Sequence, residues 1–438
     1  MAAVASQDGD ESVRSGRTDA LTVVGVTVTP VAVADPPLLT AVGVHQPYAL
    51  RSIVRVRTDA GITGISEAYG DDPTLDRLHR AIPEIIGLDA FDVHGLARRV
   101  STALAGIAPD TPTELVGVAS VEKAVAATVA AFEVALLDIQ GKATGRRVCD
   151  LLGGAVRDRV PFSAYLFYKW AGHPGAEPDR FGATLDTDGI VAQARTLVGQ
   201  YGFGSLKLKG GVFPPDVEIE AVEALRDAFP DHPIRLDPNG NWTVKTSLHV
   251  AHRLAGVLEY LEDPTDGIAG MAAVAERTSI PLATNMCVTT FADLPEAIAA
   301  RAVQIVLSDH HFWGGLRASL DLAAICATFG LGLSMHSNTH LGISLAAMTH
   351  LAAATPNLTY ACDTHSPWKV EEVIEPGVIA IRDGAANLPT GPGLGVTLDE
   401  DAVARLHEQY QRCGIRRRDD SIGMRAVDPS WTGARPRF

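Results

Sequence analysis

Six polar residues recur at nearly even intervals through the middle of the chain, each after a short apolar run. They are Lys209, Asp237, Glu262, Asn285, Asp309 and His336. The steps between them are 28, 25, 23, 24 and 27 residues. Since about 250 residues make the eight strand–helix units of a (β/α)8 barrel, each step has the length of one unit. Catalytic groups of such barrels stand at the carboxyl ends of several strands, and the spacing predicts that arrangement here.

The three middle positions, Asp237, Glu262 and Asn285, all offer oxygen atoms. Hard divalent cations such as Mg2+ prefer oxygen ligands. Because neighbouring strands lie ~4.8 Å apart, three consecutive strand ends can converge on one ion. A single Asp or Asn at such a position is more simply explained as a helix cap. Three in phase, flanked by lysines and a histidine, favour a metal site.

A lysine pair, Lys207 and Lys209, begins the series. The period of two in a strand places both side chains on the same face. Two buried ammonium groups need anionic partners, and their mutual repulsion near a cation would lower the pKa of one of them toward neutrality. A lysine with such a pKa can act as a general base. The alternative is a strand end exposed to solvent.

An acid and a histidine, Asp309 and His336, end the series. A carboxylate beside a histidine orients the ring and fixes its tautomer, which makes an acid/base pair. A lone histidine is more often a hydrogen-bonded core residue, but its place in the series favours catalysis. Spacing assigns His365 only a position at the last strand end. It assigns no role to His310, His311, His340 and His350.

The elements that carry these residues follow from the patterning. Strand–helix alternation from about residue 160 to 365 predicts parallel strands with crossover helices. Residues 21–35 alternate as a strand, and Asp59-Ala60-Gly61 separates two strand-like runs as a hairpin turn. Residues 74–145 read as helices, so the N-terminal part is α+β.

Composition limits the classes of function. The chain has 438 residues and a net charge of −15, which argues against nonspecific binding to nucleic acid. Its five cysteines are scattered without a CxxC pair, which predicts neither a zinc site nor a disulfide framework. Apolar runs are interrupted before ~18 residues, so no membrane span is expected. The polar N-terminus does not read as a signal peptide, and the cytoplasm is the expected compartment.

Six motifs carry a family resemblance: KLKGG, LDPNG, EDP, LATNM, LSDHHFWGG and MHSNTHLGIS. Together they resemble the glucarate dehydratase group of the enolase superfamily, over about residues 21–434. The implied fold is α/β, a modified (β/α)7β TIM-like barrel with an α+β capping domain formed by the N-terminal region and the C-terminal segment. The expected divisions are a flexible tail (1–20), the capping domain (21–155), the barrel (156–390) and a segment that packs back on both (391–438).

The resemblance implies the dehydration of D-glucarate or L-idarate to 5-dehydro-4-deoxy-D-glucarate, through an enediolate that Mg2+ stabilises. Lys209 would be the base on one face of the substrate, and His336 paired with Asp309 the base on the other. The implied Mg2+ ligands are Asp237, Glu262 and Asn285. Lys207 and Asn239 complete the implied catalytic group. The implied substrate contacts are His45 on a mobile capping loop, Tyr165, Lys207, Asn338, His365 and Arg418.

The sequence departs from the family pattern at two places. The segment between Glu262 and Asn285 is shorter than in some members, in which an acid on this loop binds the metal, so Asp266 is a second candidate for the third ligand. Ser366 stands where an aromatic residue is expected, which bears on substrate preference.

Three alternatives to glucarate dehydration stay open. They are a dehydratase for galactarate or an aldonate, a racemase using the same bases, and a near-inactive paralogue that serves as a binding subunit. The expected partners are a small diacid sugar and further copies of the chain, without nucleic acid or membrane.

Overall fold

The computed structural model describes residues 21–109 and 119–438, so the predicted tail at residues 1–20 lies outside the described residues. The N-terminal elements are β1 (Val23–Ala34), β2 (Leu39–Thr40), β3 (Gly43–Val44), β4 (Tyr48–Thr58), β5 (Thr63–Tyr69), α1 (Asp72–Ile85), α2 (Val93–Ala103), α3 (Val121–Thr144) and α4 (Val148–Leu151). Antiparallel pairing gives a β1-β4-β5 sheet. The predicted first strand and hairpin are therefore confirmed, and a small β2–β3 hairpin lies in the loop between them.

The long helix α3 forms the back of this N-terminal part. Ser120 caps its first turn by accepting from Lys123 N, and Gly145 ends it in the left-handed conformation at φ 68°. By length and composition alone α3 could cross a membrane, but 83% of its most apolar window is buried inside the protein. Its apolar residues instead form a core with β4, β5, α1 and α2.

The second group of elements alternates strand and helix, as predicted. They are β6 (Arg159–Pro161), β7 (Ala164–Phe167), α5 (Thr187–Tyr201), β8 (Leu206–Lys209), α6 (Pro215–Ala228), β9 (Ile234–Asp237), α7 (Val244–Arg253), β10 (Leu258–Glu262), α8 (Gly267–Ala275), β11 (Leu282–Thr284), α9 (Leu294–Ala299), β12 (Ile305–Ser308), α10 (Leu316–Phe329), β13 (Gly332–Met335) and α11 (Gly342–Ala354). Strands β7 to β13 make a curled parallel sheet in chain order. In a (β/α) barrel each strand likewise lies beside the next strand of the chain and is joined to it by a helix.

The stretch after α11 closes this sheet. Cys362 forms a parallel bridge with Phe162, and Ser163 N donates to Cys362 O at 2.8 Å. On the other side Asp363 N donates to Met335 O at 2.9 Å. The short segment at Cys362 therefore takes the place of the last strand, between β13 and the chain before β7.

The remaining elements are β14 (Ile381–Arg382), β15 (Ala385–Asn387), α12 (Glu400–Cys413) and α13 (Ser421–Val427). Strand β15 pairs with β6 beside the barrel, whereas α12 packs against β1 in the N-terminal part. The cap, meaning the β1-β4-β5 sheet with α1 to α3 and α12, thus contains both early and late parts of the chain. The predicted barrel with an α+β cap is confirmed.

Candidate active site

The six residues of the series meet at one rim of the parallel sheet. Three are the last residues of their strands and three directly follow theirs: Lys209, Asp237 and Glu262 end β8, β9 and β10, and Asn285, Asp309 and His336 follow β11, β12 and β13. Since all seven strands run in one direction, their carboxyl ends lie on the same side.

A cavity opens above this rim, with about 720 Å³ of empty space including its mouth. This is the size range of small-molecule sites. Nine of the predicted site residues line it: Lys209, Asn285, Asp309, His336, His45, Tyr165, Asn338, His365 and Arg418. The other four, Lys207, Asp237, Asn239 and Glu262, are almost wholly buried in the same region.

The ammonium group of Lys209 is held on one side of the cavity. Its Nζ donates to Asp237 Oδ2 at 2.8 Å and to the Tyr165 hydroxyl at 3.0 Å. Tyr165, predicted as a substrate contact, therefore also positions Lys209. With one acidic and one neutral partner, Lys209 is placed to exchange a proton with a molecule in the cavity.

The neighbouring Lys207 has a different environment. It is fully buried, and its Nζ lies 2.6 Å from Glu262 Oε2, 2.7 Å from Asp363 Oδ2 and 3.6 Å from Asp237 Oδ2. Burial alone would lower the pKa of Lys207, but the carboxylates of Asp363 and Glu262 raise it well above its usual value. The lowered pKa that the sequence predicted for one of the two lysines therefore does not belong to Lys207, which stays protonated.

The oxygens of the proposed metal ligands include several that are not satisfied. Glu262 Oε1, Asn285 Oδ1 and Asn239 Oδ1 are buried without a hydrogen-bond partner among the residues that the structure describes. Burial, and then the charge of Asp237, raises the pKa of Glu262 well above its usual range. Carboxylate and amide oxygens of this kind fit Mg2+, whose charge would offset the repulsion between the two acids.

Two loop residues beside these oxygens have left-handed backbones. Asn239 has φ 53° and Asp263 has φ 37°. Asp263 Oδ2 accepts from Asn285 N at 2.9 Å and Oδ1 accepts from the Thr284 hydroxyl at 2.5 Å. Such strained positions are kept where the surroundings require them. Asp263 thus orients the turn that carries Asn285, whereas Asp266 is exposed at the start of α8.

The predicted acid/base pair forms on another part of the rim. His336 Nδ1 lies 3.1 Å from Asp309 Oδ2, and Asn338 Nδ2 donates to the same oxygen at 3.4 Å. Burial alone would raise the pKa of Asp309, but His311 and His336 hold it well below its usual range. The ionised carboxylate orients His336 with Nε2 available to the cavity.

Asp309, His310 and His311 also bring ligand atoms within 4.8 Å of one another. However, Asp309 Oδ1 and His311 Nδ1 already share a hydrogen bond of 2.8 Å. This group is therefore a hydrogen-bonded cluster, and the unsatisfied oxygens near Glu262 are the better metal site.

The cap and the C-terminal segment supply the outer wall. His45 follows β3, and its Nδ1 lies 3.0 Å from Asp35 Oδ2. Arg418 makes a bidentate pair with Asp420, with distances of 2.7 and 2.8 Å. His365 is buried with its Nδ1 lacking a partner among the described residues, and burial holds its pKa well below the usual value.

Several residues of the site were not found from sequence. Asp363 pairs with Lys207, and the signal was available, because it precedes His365, at the expected last strand end, by two positions. Tyr69 and Lys123 line the cavity from the cap, and no strand-end pattern marks them. His311 lies beside Asp309, although its spacing indicated no role.

Comparison with known proteins places the chain in a family. Residues 23–153 match the model for the mandelate racemase/muconate lactonizing enzyme N-terminal domain, and residues 189–402 match the enolase C-terminal domain-like model. A Streptomyces coelicolor protein named "Probable glucarate dehydratase" is 52% identical, over 95% of this chain and 99% of its own. A D-xylonate dehydratase of Haloferax volcanii is 28% identical, over 80% of this chain and 84% of its own.

Solved structures agree with these matches. An enolase from Thermobispora bispora, complexed with magnesium and formate, is 60% identical with a TM-score of 0.93, covering 95% of this chain and 100% of its own. One from Pseudomonas fluorescens, with bound magnesium, potassium and tartrate, is 50% identical with a TM-score of 0.93, covering 96% and 100%.

Proposed function

The chain belongs to the enolase superfamily, and we propose that it is an acid-sugar dehydratase acting on D-glucarate and its epimer L-idarate. The product is 5-dehydro-4-deoxy-D-glucarate. The observation that carries the proposal is that one cavity holds two separate acid/base groups, Lys209 and the Asp309–His336 pair, beside a cluster of unsatisfied oxygens. The relative named "Probable glucarate dehydratase" supports the choice of substrate.

The first step is removal of the proton on the carbon next to a substrate carboxylate. Lys209 takes it from one face and His336 from the other, so that either epimer can lose its proton. The electron pair of the broken C–H bond moves into the carboxylate and gives an enediolate. Lys207 is a fixed cation 3.6 Å from Asp237, and its charge favours the developing anion over the ground state.

A bound divalent cation supplies further positive charge at the carboxylate oxygens. Asp237, Glu262 and Asn285 would hold it, because they offer buried oxygens at three consecutive strand ends. Asn239 would lie beside the reacting oxygens, because its backbone N donates to Asp237 Oδ1 at 3.0 Å and its own Oδ1 is buried without a partner among the described residues.

The second step is loss of the hydroxyl on the neighbouring carbon. The C–O bond breaks, and protonated His336 gives its proton to the departing hydroxyl, so that water leaves. For one epimer His336 has gained this proton in the first step, and for the other, where Lys209 is the base, His336 starts protonated. The resulting enol then becomes the 2-keto acid. Asp309 keeps the His336 ring oriented while its charge changes.

The far end of the substrate meets basic side chains. Arg418, His45 and Lys123 line the cavity from outside the barrel. A second carboxylate is the group that suits such a wall, which favours a diacid over a monoacid. The same proposal includes a cytoplasmic homo-oligomer that acts without nucleic acid or membrane.

The test is turnover of a panel of acid sugars with Mg2+, with detection of the 2-keto product. D-glucarate, L-idarate, galactarate and an aldonate would be compared. In D2O, recovered substrate should contain deuterium at the carbon that loses its proton. Lys209→Ala and His336→Ala should each lower turnover by about 100-fold or more, the usual contribution of a positioned acid/base.

Controls of the same residue types are exposed on α7: Lys245→Ala and His249→Ala should leave turnover unchanged. If neither cavity substitution lowers turnover, the two-base assignment is wrong. A preference for galactarate or an aldonate would contradict the proposed substrate, but the reaction would still be the dehydration of an acid sugar.

A further inference from the structure

Behind the Asp309–His336 pair lies a second layer of buried polar residues that joins the barrel to the cap. We propose that His311 and Arg51 are positioning residues that hold Asp309, so that the cap completes the base on the His336 side. The inference rests on the proposed function for its catalytic consequence. Its geometric part stands on hydrogen bonds alone.

The carboxylate of Asp309 divides its two oxygens between two histidines. Oδ2 faces His336 Nδ1 at 3.1 Å, and Oδ1 faces His311 Nδ1 at 2.8 Å. The backbone N of His311 also donates to Oδ1 at 3.0 Å. Asp309 therefore cannot rotate toward or away from His336 without breaking its bonds to His311.

The tautomer of His311 follows from its partners. An arginine only donates, so Arg51 Nη2, 3.2 Å from His311 Nε2, requires a lone pair on that nitrogen. The Ser344 hydroxyl lies 2.8 Å from the same nitrogen, while its proton is donated to the Glu67 carboxylate. On the other side of the ring the Asp309 carboxylate can only accept, so it needs a proton on Nδ1. The proton of the ring is then on Nδ1, where it is donated to Asp309.

Arg51 also orients the other neighbour of Asp309. Its Nη1 donates to Asn338 Oδ1 at 3.5 Å, which turns the amide so that Nδ2 faces Asp309 Oδ2. One guanidinium group thus reaches both residues that flank the carboxylate. Its planar array of donors suits this task in a way that a lysine ammonium does not.

The anchor of Arg51 belongs to the cap. Arg51 lies on β4, and its Nε donates to Glu67 Oε1 on β5 at 2.7 Å. Glu67 in turn accepts from the backbone N of Leu341 and Ser344, at 2.9 and 3.1 Å, where α11 begins. All of these side chains are buried. The cap sheet is therefore joined to the base through one continuous hydrogen-bonded network.

This network contacts only one of the two proposed bases. It contacts Asp309 and Asn338, whereas Lys209 is held by Asp237 and Tyr165. Loss of His311 should therefore impair proton exchange on the His336 face and leave the Lys209 face intact. A general loss of structure would impair both faces together.

The experiment compares hydrogen–deuterium exchange of the two epimers, each in the forward direction, for wild type, His311→Ala and His311→Asn. His336→Ala abolishes exchange on one face of the substrate, and in His311→Ala exchange on that face should fall about 10- to 100-fold, the loss that follows removal of the partner behind a metal-binding histidine. Exchange on the other face should stay unchanged. His311→Asn places an amide donor near the position of Nδ1 and should recover part of the loss.

Arg51→Lys extends the test to the cap, with the same selective loss expected. Arg55→Lys is its control, because Arg55 lies on the same strand and pairs with the exposed Glu400 at 2.7 Å. His350→Ala controls for loss of a buried histidine, since its Nε2 lies 3.1 Å from the Leu394 carbonyl oxygen. The His311 variants carry the test if Arg51→Lys does not fold.

A second readout needs no substrate. In 15N-histidine-labelled protein, the Nδ1–H signal of His336 should move in His311→Ala and return toward wild type in His311→Asn. An unchanged signal, or an equal effect on both epimers, would overturn the inference. Absence of any exchange in the wild type would instead count against the proposed function, and the NMR signals would still decide the positioning role.

Discussion

At the scale of single residues, chemically identical side chains are assigned different tasks by their neighbours. Lys207 and Lys209 are two positions apart on β8, yet Lys207 contacts three carboxylates and Lys209 one carboxylate and a phenol. The first is held as a cation, and the second faces the cavity. The two acids of the EDP motif also differ in their contacts. Glu262 has an oxygen without a hydrogen-bond partner among the described residues, whereas Asp263 accepts from the backbone N of Asn285.

The choice between Glu262 and Asp266 as third metal ligand can be tested directly. Glu262 is buried with a free oxygen near Asp237, whereas Asp266 is exposed. Titration calorimetry with MgCl2 should show that Glu262→Gln weakens binding by at least about 10- to 100-fold, the loss seen even for outer partners. Asp266→Asn should bind as wild type does. The reverse order would place the ligand on the loop.

At the scale of elements, a side chain of one helix caps the first turn of another helix. Helix α10 begins after Gly315, which has φ 107° and no side chain to act as a cap. Glu133 of α3 replaces the missing cap by accepting from Leu316 N and Arg317 N at 3.0 and 3.1 Å. The positive φ requires glycine at position 315, and a Cβ there would also push the Glu133 carboxylate away from the two backbone N–H groups.

This contact predicts a pH dependence of stability. Burial raises the pKa of Glu133 from 4.5 to about 7, although Leu316 N and Arg317 N oppose the shift. Because the folded protein binds the proton more tightly than the unfolded chain, the contribution is most favourable below pH ~4.5 and is lost as pH rises through ~7. The total is about 3 kcal/mol, since each pKa unit corresponds to ~1.4 kcal/mol.

Denaturant unfolding of wild type and Glu133→Gln at pH 5 and pH 8 measures this effect. Glutamine stays neutral, so the variant should gain stability relative to wild type as the pH rises, by up to about 3 kcal/mol. A difference between the two proteins that is constant from pH 5 to pH 8 would contradict the role of Glu133.

At the scale of the whole molecule, the last part of the chain connects the β2–β3 hairpin to the loop that carries Asn239. Arg437 Nη2 donates to Ala41 O at 2.9 Å in the β2–β3 hairpin, and its backbone N donates to Asn241 O at 3.0 Å. Arg435 Nη1 donates to Asn239 O at 2.6 Å. The hairpin that precedes His45 and the loop that carries Asn239 are therefore braced by one segment.

Removal of this brace should loosen both of its ends together. Arg437→Ala removes the side-chain bond to Ala41 O and keeps the backbone bond to Asn241 O. It is expected to increase amide hydrogen exchange in segment 38–46 directly, and in segment 238–243 through the loosened terminal segment. Arg405→Ala, an exposed position on α12, is the control and should leave both segments as in wild type. Faster exchange in only one segment would contradict a shared brace.

The sequence by itself determined the frame of the barrel and the types of group on its rim. Strand length and helix length set the spacing from Lys209 to His336, and this local periodicity is visible along the chain. The first strand and the hairpin at Asp59-Ala60-Gly61 were predictable for the same reason. The motifs then indicated the family, which the comparisons confirmed.

The tertiary structure alone decided which of these groups are charged and which residues position them. Lys207 meets Asp363 across 156 residues, and Arg51 meets His311 across 260. Neither contact has a periodic signal, because it depends on how the cap and the closing segment pack against the barrel. Burial and neighbouring charge set the state of an ionisable group, and both arise only when distant segments are brought together.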